Sequence, residues 1–172
     1  MGSAGTDELD GDEGNDSGND YLNGNVEADN LLGGEGNDTV QGGQGEDSLN
    51  GDAGNDSLSG DLGNDTIAGN LGADTIAGGL GSDLFVIGQG TGGPAIANAD
   101  FITDFVNNQD LIQLIEPLTF DDLNIVQNTI ENVPNIIIQD QLTGEYLAVL
   151  KGIDASQITA SDFVVIWTCG CG

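Results

Sequence analysis

Aspartate recurs at every ninth position over a long stretch of this chain, and its carboxylates are the groups best able to do chemistry. Written in blocks of nine from residue 24, the sequence reads GNVEADNLL, GGEGNDTVQ, GGQGEDSLN, GDAGNDSLS, GDLGNDTIA, GNLGADTIA, GGLGSDLFV. Position six is Asp in all seven blocks, position one is Gly in all seven, and position eight is always apolar. Position four is Gly in six blocks, with Glu27 as the exception. A period held this long is typical of a structural repeat and not of disordered low-complexity chain.

The spacing predicts that these carboxylates gather in two rows. In each block the first six residues have the composition of a turn, and the last three predict a short strand with one apolar side chain pointing inward. If two blocks make one coil, residues 18 apart become neighbours along a stack. Like charges at that spacing repel, and a hard divalent cation between coils turns the repulsion into binding. The two rows are Asp20, Asp38, Asp56 and Asp74 on one edge and Asp29, Asp47, Asp65 and Asp83 on the other.

Calcium is the cation that this pattern favours. Ca²⁺ accepts several oxygen ligands in flexible geometry, and Gly-rich turns expose backbone carbonyls that can complete its shell. Mg²⁺ fits less well, because it requires tight octahedral geometry and retains its water. Three pairs of Asp on each edge predict about six ions in the regular repeats.

The charge of the chain excludes several classes of function. Thirty Asp and Glu face a single Lys or Arg, Lys151, and the net charge is −29. One basic side chain cannot form a basic patch to meet the phosphates of a nucleic acid. The absence of His excludes Ser-His-Asp catalysis and His-based zinc sites. We therefore expect a protein that is not an enzyme, with no membrane span and no N-terminal signal peptide, since the first residues are neither basic nor apolar.

The block Gly-Gly-x-Gly-x-Asp-x-apolar-x resembles the calcium-binding nonapeptide of the RTX (repeats-in-toxin) family, closely over residues 24–86 and loosely over 5–23. The resemblance implies an all-β fold, a right-handed parallel β-roll, followed by a small β-rich C-terminal cap. It also implies that Ca²⁺ is held by the position-six Asp rows and by turn carbonyls at positions two and four. The carbonyls so assigned belong to Gly34, Gly36, Gly43, Gly45, Asp52, Gly54, Asp61, Gly63, Asn70, Gly72, Gly79 and Gly81.

Glycine divides the chain into two halves. Residues 1–90 hold 23 of the 29 glycines, which predicts a β-roll over 1–90 and a β-rich capping domain over 91–172. Before the regular blocks the repeat slips in phase between Asp16 and Asp20, so we expect an irregular N-terminal end. Six short strands are predicted in the second half, with single helical turns starting at Thr119 and Thr159. Leu62, Leu71 and Leu80 make position three apolar, a stripe that we expect the cap or a partner to cover.

The segment that follows the repeats resembles the corresponding region of RTX proteases and lipases. That resemblance makes Asp100, Asp104 and Asp110 candidates for a further Ca²⁺ site. The apolar C-terminal end resembles an uncleaved signal for type I secretion, although Trp167 and the tail with Cys169 and Cys171 extend beyond that pattern. An inert tail, pairing between chains and the binding of an adventitious metal are all open for the two cysteines.

Three functions remain open from the sequence. The first is a calcium-binding structural protein, secreted or on the surface of a bacterial cell, that folds and self-associates when it binds Ca²⁺. The second is the calcium and secretion module of a larger protease, lipase or adhesin. The third is a carbohydrate-binding module for a surface polysaccharide, which the strong acidity disfavours.

Overall fold

The computed structural model describes residues 5–11, 17–130 and 132–165. Within these ranges the chain forms β-strands and four single 3₁₀ turns, with no α-helix. The strands are β1 Glu8–Asp10, β2 Tyr21–Val26, β3 Asn30–Glu35, β4 Thr39–Gln44, β5 Ser48–Ala53, β6 Ser57–Leu62, β7 Thr66–Leu71, β8 Thr75–Ala77, β9 Leu84–Ile87, β10 Asp100–Ile102, β11 Leu111–Leu114, β12 Leu123–Ile130, β13 Val133–Asp140, β14 Tyr146–Lys151 and β15 Phe163–Val165.

The repeats form a parallel β-roll of about four turns, as the nine-residue period predicts. Strands alternate between two sheets, so that β2, β4, β6 and β8 lie in sheet A and β1, β3, β5, β7 and β9 lie in sheet B. From β2 to β7 each strand pairs with the strand 18 residues further on: Val40 lies opposite Leu58 in sheet A, and Leu49 opposite Ile67 in sheet B. Two blocks therefore make one coil.

The apolar position-eight residues form a thin core between the two sheets. Each of them is no more than 2 % exposed. Each block buries one such side chain, and its burial contributes roughly 1.5–3 kcal/mol. The core becomes continuous only because the blocks stack. The residues are Leu31, Val40, Leu49, Leu58, Ile67, Ile76 and Phe85.

The strands are longer than the sequence predicts, and the turns are shorter. Most strands of the roll run for six residues, from position seven of one block to position three of the next, which leaves positions four to six for the turn. The prediction of three-residue strands was wrong because position two bends the chain without ending the pairing. Asp52 and Asn70 both have positive φ (67° and 68°) and still lie opposite each other in sheet B. Gly, Asn and Asp tolerate that conformation, which explains why position two holds only these residues.

Position four carries glycine for two physical reasons. Gly54 and Gly63 have φ of 151° and 150°, a conformation that L side chains rarely adopt. A side-chain carbon on Gly63 would also overlap the carbonyl oxygen of Gly45, one coil earlier. Glu27, the exception, has a different conformation with φ of 76°, so the first turn differs from the others.

The C-terminal half continues both sheets of the roll. In sheet A, Phe101 of β10 lies opposite Thr75, and β14 then pairs in parallel with β10. In sheet B, Ile112 of β11 lies opposite Phe85, and β15 pairs in parallel with β11. The antiparallel strands β13 and β12 complete sheet A. The two single helical turns are present as 3₁₀ turns at Phe120–Asp122 and Ala160–Asp162.

The segment between the two halves is tied to the β13–β14 hairpin by carboxylates. Glu145 accepts hydrogen bonds from the backbone N–H groups of Gly90 and Gly92, at 3.0 and 3.1 Å. Asp140, which is fully buried, accepts from the side chain of Gln89 at 2.7 Å. Burial opposes the charged form of Asp140, but its several hydrogen bonds outweigh burial and lower its pKa.

The position-three leucines lie at both sheets and do not form one stripe, since Leu62 ends β6 in sheet A and Leu71 ends β7 in sheet B. The part of the C-terminal half that the structure describes does not cover them. Leu62, Leu71 and Leu80 are 46 %, 57 % and 71 % exposed. The expectation that the cap covers them was wrong, because β10 to β15 extend the sheets at the end of the stack and do not fold back along its sides.

Gly63→Ala should destabilise the roll more than Gly144→Ala. Both glycines have positive φ, but only at position 63 does the new methyl group also meet a backbone carbonyl, whereas nothing lies within 4 Å of Gly144. We expect a loss of roughly 2–4 kcal/mol for Gly63→Ala and about 1 kcal/mol for Gly144→Ala. Denaturant unfolding at saturating calcium measures both, and equal losses would contradict this account of position four.

Candidate metal sites in the turns

The position-six aspartates form two ladders, one at each edge of the roll. The backbone N–H of each Asp donates to Oδ1 of the Asp in the next coil, for example from Asp29 to Asp47 at 2.8 Å and from Asp38 to Asp56 at 2.8 Å. The structure thus brings together the two rows that the spacing predicts. The first row runs Asp20, Asp38, Asp56, Asp74 and the second runs Asp29, Asp47, Asp65, Asp83.

In six of the seven regular blocks the second oxygen of the position-six carboxylate is buried without a hydrogen-bond donor. The position-six Asp of all seven regular blocks is at most 3 % exposed. A buried carboxylate oxygen with no donor is costly, and the sequence offers only Lys151 as a cationic side chain. Such an arrangement fits a cation that replaces the missing donors. The orphaned oxygens are Oδ2 of Asp29, Asp38, Asp47, Asp56, Asp65, Asp74 and Asp100.

Burial and mutual repulsion favour the protonated form of these groups. Burial raises the pKa of Asp56 to about 6, although the hydrogen bond from the backbone N–H of Asp38 lowers it. The negative charges of Asp74 and Asp38 raise the pKa further. Burial likewise raises the pKa of Asp65 to about 6. At Asp100, burial and the charge of Asp74 raise the pKa to about 8. The pKa values of Asp47, Asp74, Asp83 and Asp110 are also raised, in each case chiefly by burial.

Backbone carbonyls of positions two and four point along the stack toward the next coil. A side-chain carbon on Gly43 would meet the carbonyl of Asn25, and one on Gly81 would meet that of Gly63. The predicted carbonyl ligands therefore lie between successive coils. Their assignment to calcium stays a prediction.

The carbonyl of position one lies beside the orphaned carboxylate oxygen, and the sequence reasoning missed it. A carbon built on Gly24 would lie 2.6 Å from the carbonyl oxygen of Gly42 and would also meet Oδ2 of Asp29. The same holds at Gly60, with the carbonyl of Gly78 at 2.6 Å and Oδ2 of Asp65. Glycine at position one of all seven blocks was the signal that could have revealed this carbonyl, since any side chain at position one would fill the space that these oxygens face.

The three candidates after the repeats occupy different places. Asp100 extends the first ladder, because its Oδ1 accepts from the N–H of Asp74 at 3.2 Å and its Oδ2 is orphaned. Asp110 extends the second ladder from Asp83, but its Oδ2 accepts from the N–H of Val106 at 2.7 Å. Asp104 lies outside both ladders. Its two oxygens accept from the N–H groups of Gly78 and Gly79, both at 2.9 Å.

Side chains alone do not make a metal cage here. In residues 5–11, 17–130 and 132–165, no three His, Cys, Asp or Glu side chains converge as a metal-binding group. A cation bound in these turns must take most of its ligands from backbone carbonyls, as a hard oxygen-seeking ion does. Cys169, Cys171 and the slip residues 12–16 lie outside the described residues.

The sequence matches the family described as the RTX calcium-binding nonapeptide repeat in four copies, at residues 1–17, 16–49, 23–58 and 50–85. The matched copies cover the ladders and the turns described above. Through these repeats the chain belongs to the RTX family, and the repeats are calcium-binding.

Three solved structures of bacterial proteins match the chain, and the first of them shares its fold. The AlgE6R2 subunit of the mannuronan C5-epimerase from Azotobacter vinelandii is 19% identical with a TM-score of 0.53, over 96% of this chain and 92% of that chain. The AlgE6R3 subunit is 24% identical with a TM-score of 0.32, over 86% and 83%. The extracellular lipase LipA from Serratia marcescens is 14% identical with a TM-score of 0.37, over 88% and 39%. No curated protein matches the sequence significantly.

The described residues also include no helix long and apolar enough to cross a membrane.

Acid should favour the folded form of the calcium-free protein. The folded pKa values of Asp56, Asp65 and Asp100 lie above the ordinary value of 3.8, so the folded chain binds more protons than the unfolded chain. The stabilisation is complete below about pH 4 and is lost as the pH rises through about 6 to 8. Circular dichroism of calcium-stripped protein at about pH 5 and about pH 8.5 tests this, because these two values lie on either side of the raised pKa values of about 6 to 8. Equal β content at both pH values, or more at pH 8.5, would contradict it.

Proposed function

We propose that this protein is an extracellular calcium-binding structural protein that folds when it meets calcium. The observation that carries the proposal is the pair of ladders of buried carboxylates. In six of the seven regular blocks the second oxygen lacks a donor, and the sequence has one cationic side chain. Without a cation, the cost of burying these charges opposes folding. With Ca²⁺ bound, the free energy of binding becomes free energy of folding.

The proposed ligands are the orphaned Asp oxygens together with turn carbonyls. One ion for each interval between neighbouring Asp of a ladder gives about six ions in the regular repeats. Asp100 offers a further interval to the first ladder, since its Oδ2 is also orphaned. Asp110 and Asp104 are weaker candidates, because backbone N–H groups already bond both oxygens of each.

Dependence on calcium gives the protein a physical way to distinguish compartments. In a cytoplasm poor in calcium the chain at −29 repels itself and stays unfolded, which suits export through a narrow channel. Outside the cell, calcium neutralises the ladders and the roll folds. Membership of a family whose proteins are typically secreted by bacteria supports this localisation.

A second candidate is that the roll serves as one module of a larger secreted protein. A structure of the same fold and of nearly the same extent is described as a subunit of an epimerase, so the fold exists inside larger enzymes. In that case calcium-dependent folding has the same physical basis, and catalysis belongs to another part of the protein.

A calcium titration should convert the protein from a largely disordered chain to β structure. We expect far-ultraviolet circular dichroism to show a cooperative transition with Ca²⁺ and a much weaker response to the same concentration of Mg²⁺, because Mg²⁺ does not accept the irregular shell. Isothermal titration calorimetry should count about six or more ions. Full β structure in excess chelator would overturn the proposal.

Asp65→Asn should weaken calcium-induced folding far more than Asp52→Asn. Both substitutions remove one negative charge, but Asp65 presents a buried orphaned oxygen, whereas Asp52 sits at position two with its side chain outside the core. We expect the calcium midpoint of Asp65→Asn to rise by about tenfold, equal to about 1.4 kcal/mol, and that of Asp52→Asn to change little. Equal shifts in both variants would mean that net charge, and not the ladder, sets the calcium dependence.

A further inference from the structure

The two sheets of the roll end on different kinds of edge strand. Sheet B ends on β1 and β15, which are three residues long, and β1 includes Glu8 and Asp10. Sheet A ends on β2 and on β12, which is eight residues long with the sequence LNIVQNTI. Proteins usually protect a long edge with charges, Pro, bulges or short length. β12 has none of these.

The backbone of β12 is regular enough to accept another strand. All eight of its residues pair one to one with β13, from Leu123 opposite Asp140 to Ile130 opposite Val133, without a shift in register. By contrast, β2 contains Gly24 and the positive φ of Asn25 (77°), which bend it. In the part of the chain that the structure describes, no other strand pairs with β12 on its far side. At its first residue the side chain of Gln141 donates to the Leu123 carbonyl.

The side chains of β12 divide into an inner and an outer face. Leu123 is buried and Ile125 packs against the core, so Asn124, Val126 and Asn128 lie on the opposite face of the sheet. Val126 is 41 % exposed although it is apolar. The outer face is therefore a valine between two asparagines.

We propose that β12 pairs antiparallel with β12 of a second copy of the chain, so that sheet A continues from one molecule into the other. The two-fold axis passes through Val126, which then lies opposite Val126 of the second copy. Residues opposite each other in an antiparallel pair share a face, and this register places Asn124 opposite Asn128 of the second copy. The same surface is used by both copies, so the assembly closes as a dimer.

Charge is what selects a second copy at this strand. About six bound Ca²⁺ ions offset only part of the charge of −29, so most surfaces of two calcium-loaded copies still repel each other. The eight uncharged residues of β12 provide a place where two copies can approach. Asp121 and Asp122 precede the strand and keep some repulsion at its end. Because salt screens exposed charges, the dimer should strengthen as ionic strength rises.

The inferred interface lies apart from the Asp ladders. The proposed dimer rests on the proposed function in one respect only, namely that calcium is present during the test so that the protein is folded. Failure of dimerisation leaves calcium-dependent folding untouched, and failure of calcium-dependent folding is seen separately by circular dichroism.

The test is the molecular mass of the full chain in saturating calcium, with a reducing agent present to exclude disulfides between chains. Analytical ultracentrifugation over a concentration series should show a reversible equilibrium between 17.5 kDa monomer and a dimer of twice that mass. Val126→Lys places two cations opposite each other at the axis and should raise the dissociation constant by at least about tenfold. Leu142→Lys is the matched control, since Leu142 is 87 % exposed in the β13–β14 turn and the change in charge is the same.

The expected pattern is a dimer for the natural chain and for Leu142→Lys, a monomer for Val126→Lys, and a tighter dimer at higher salt. Should Val126→Lys lose its β signal in calcium, Asn124→Lys replaces it, because Asn124 is exposed on the same face. A natural chain that stays monomeric at high concentration overturns the proposal. So does a folded Val126→Lys that still dimerises, an equal loss in Leu142→Lys, or a dimer that the reducing agent abolishes.

Discussion

The structure depends on the burial of like charges in rows. Neighbouring parallel strands lie about 4.8 Å apart, and two ionised carboxylates at that distance repel by on the order of 3 kcal/mol at an effective dielectric constant of about 20. Seven position-six aspartates are buried in such rows, and the sequence supplies one cationic side chain. Full ionisation of unneutralised ladders therefore opposes the fold. Protons offset this repulsion at low pH, and under the proposed function Ca²⁺ offsets it at neutral pH.

The other invariant positions of the block follow from this constraint. Glycine at position one leaves open the space that the carboxylate oxygen and the carbonyl of the next coil both face. Glycine at position four lets consecutive turns stack so closely that a methyl group would overlap a carbonyl. The apolar residue at position eight then supplies a core only one side chain thick. A core this thin supplies little hydrophobic stabilisation to offset the buried charges, and the proposed function therefore assigns much of the stability to ion binding.

The sequence predicts the roll well because its signals are periodic. The spacing of Asp38 and Asp56 predicts their ladder, and the structure forms it with an N–H to Oδ1 bond of 2.8 Å. The length of the strands was not predicted correctly. Gly, Asn and Asp at position two are typical of turns, but these residues keep their strand pairing because the neighbouring coil has the same bend. Asp104 could not be placed for a different reason. Its partners, Gly78 and Gly79, are 25 or more residues away, and no period connects them.

The C-terminal half completes the ladders as well as the sheets. The last regular aspartates, Asp74 and Asp83, have N–H groups that the pattern cannot satisfy, since no Asp lies 18 residues beyond either of them. Asp100 and Asp110 take those places after spacings of 26 and 27 residues. The extra residues form the segment anchored by Asp140 and Glu145. A buried N–H without an acceptor costs about 1–3 kcal/mol, so the C-terminal half stabilises the end of the roll through hydrogen bonds that no isolated repeat can supply. The two halves thus share both sheets, and the ladders extend from the repeats into the region that follows them.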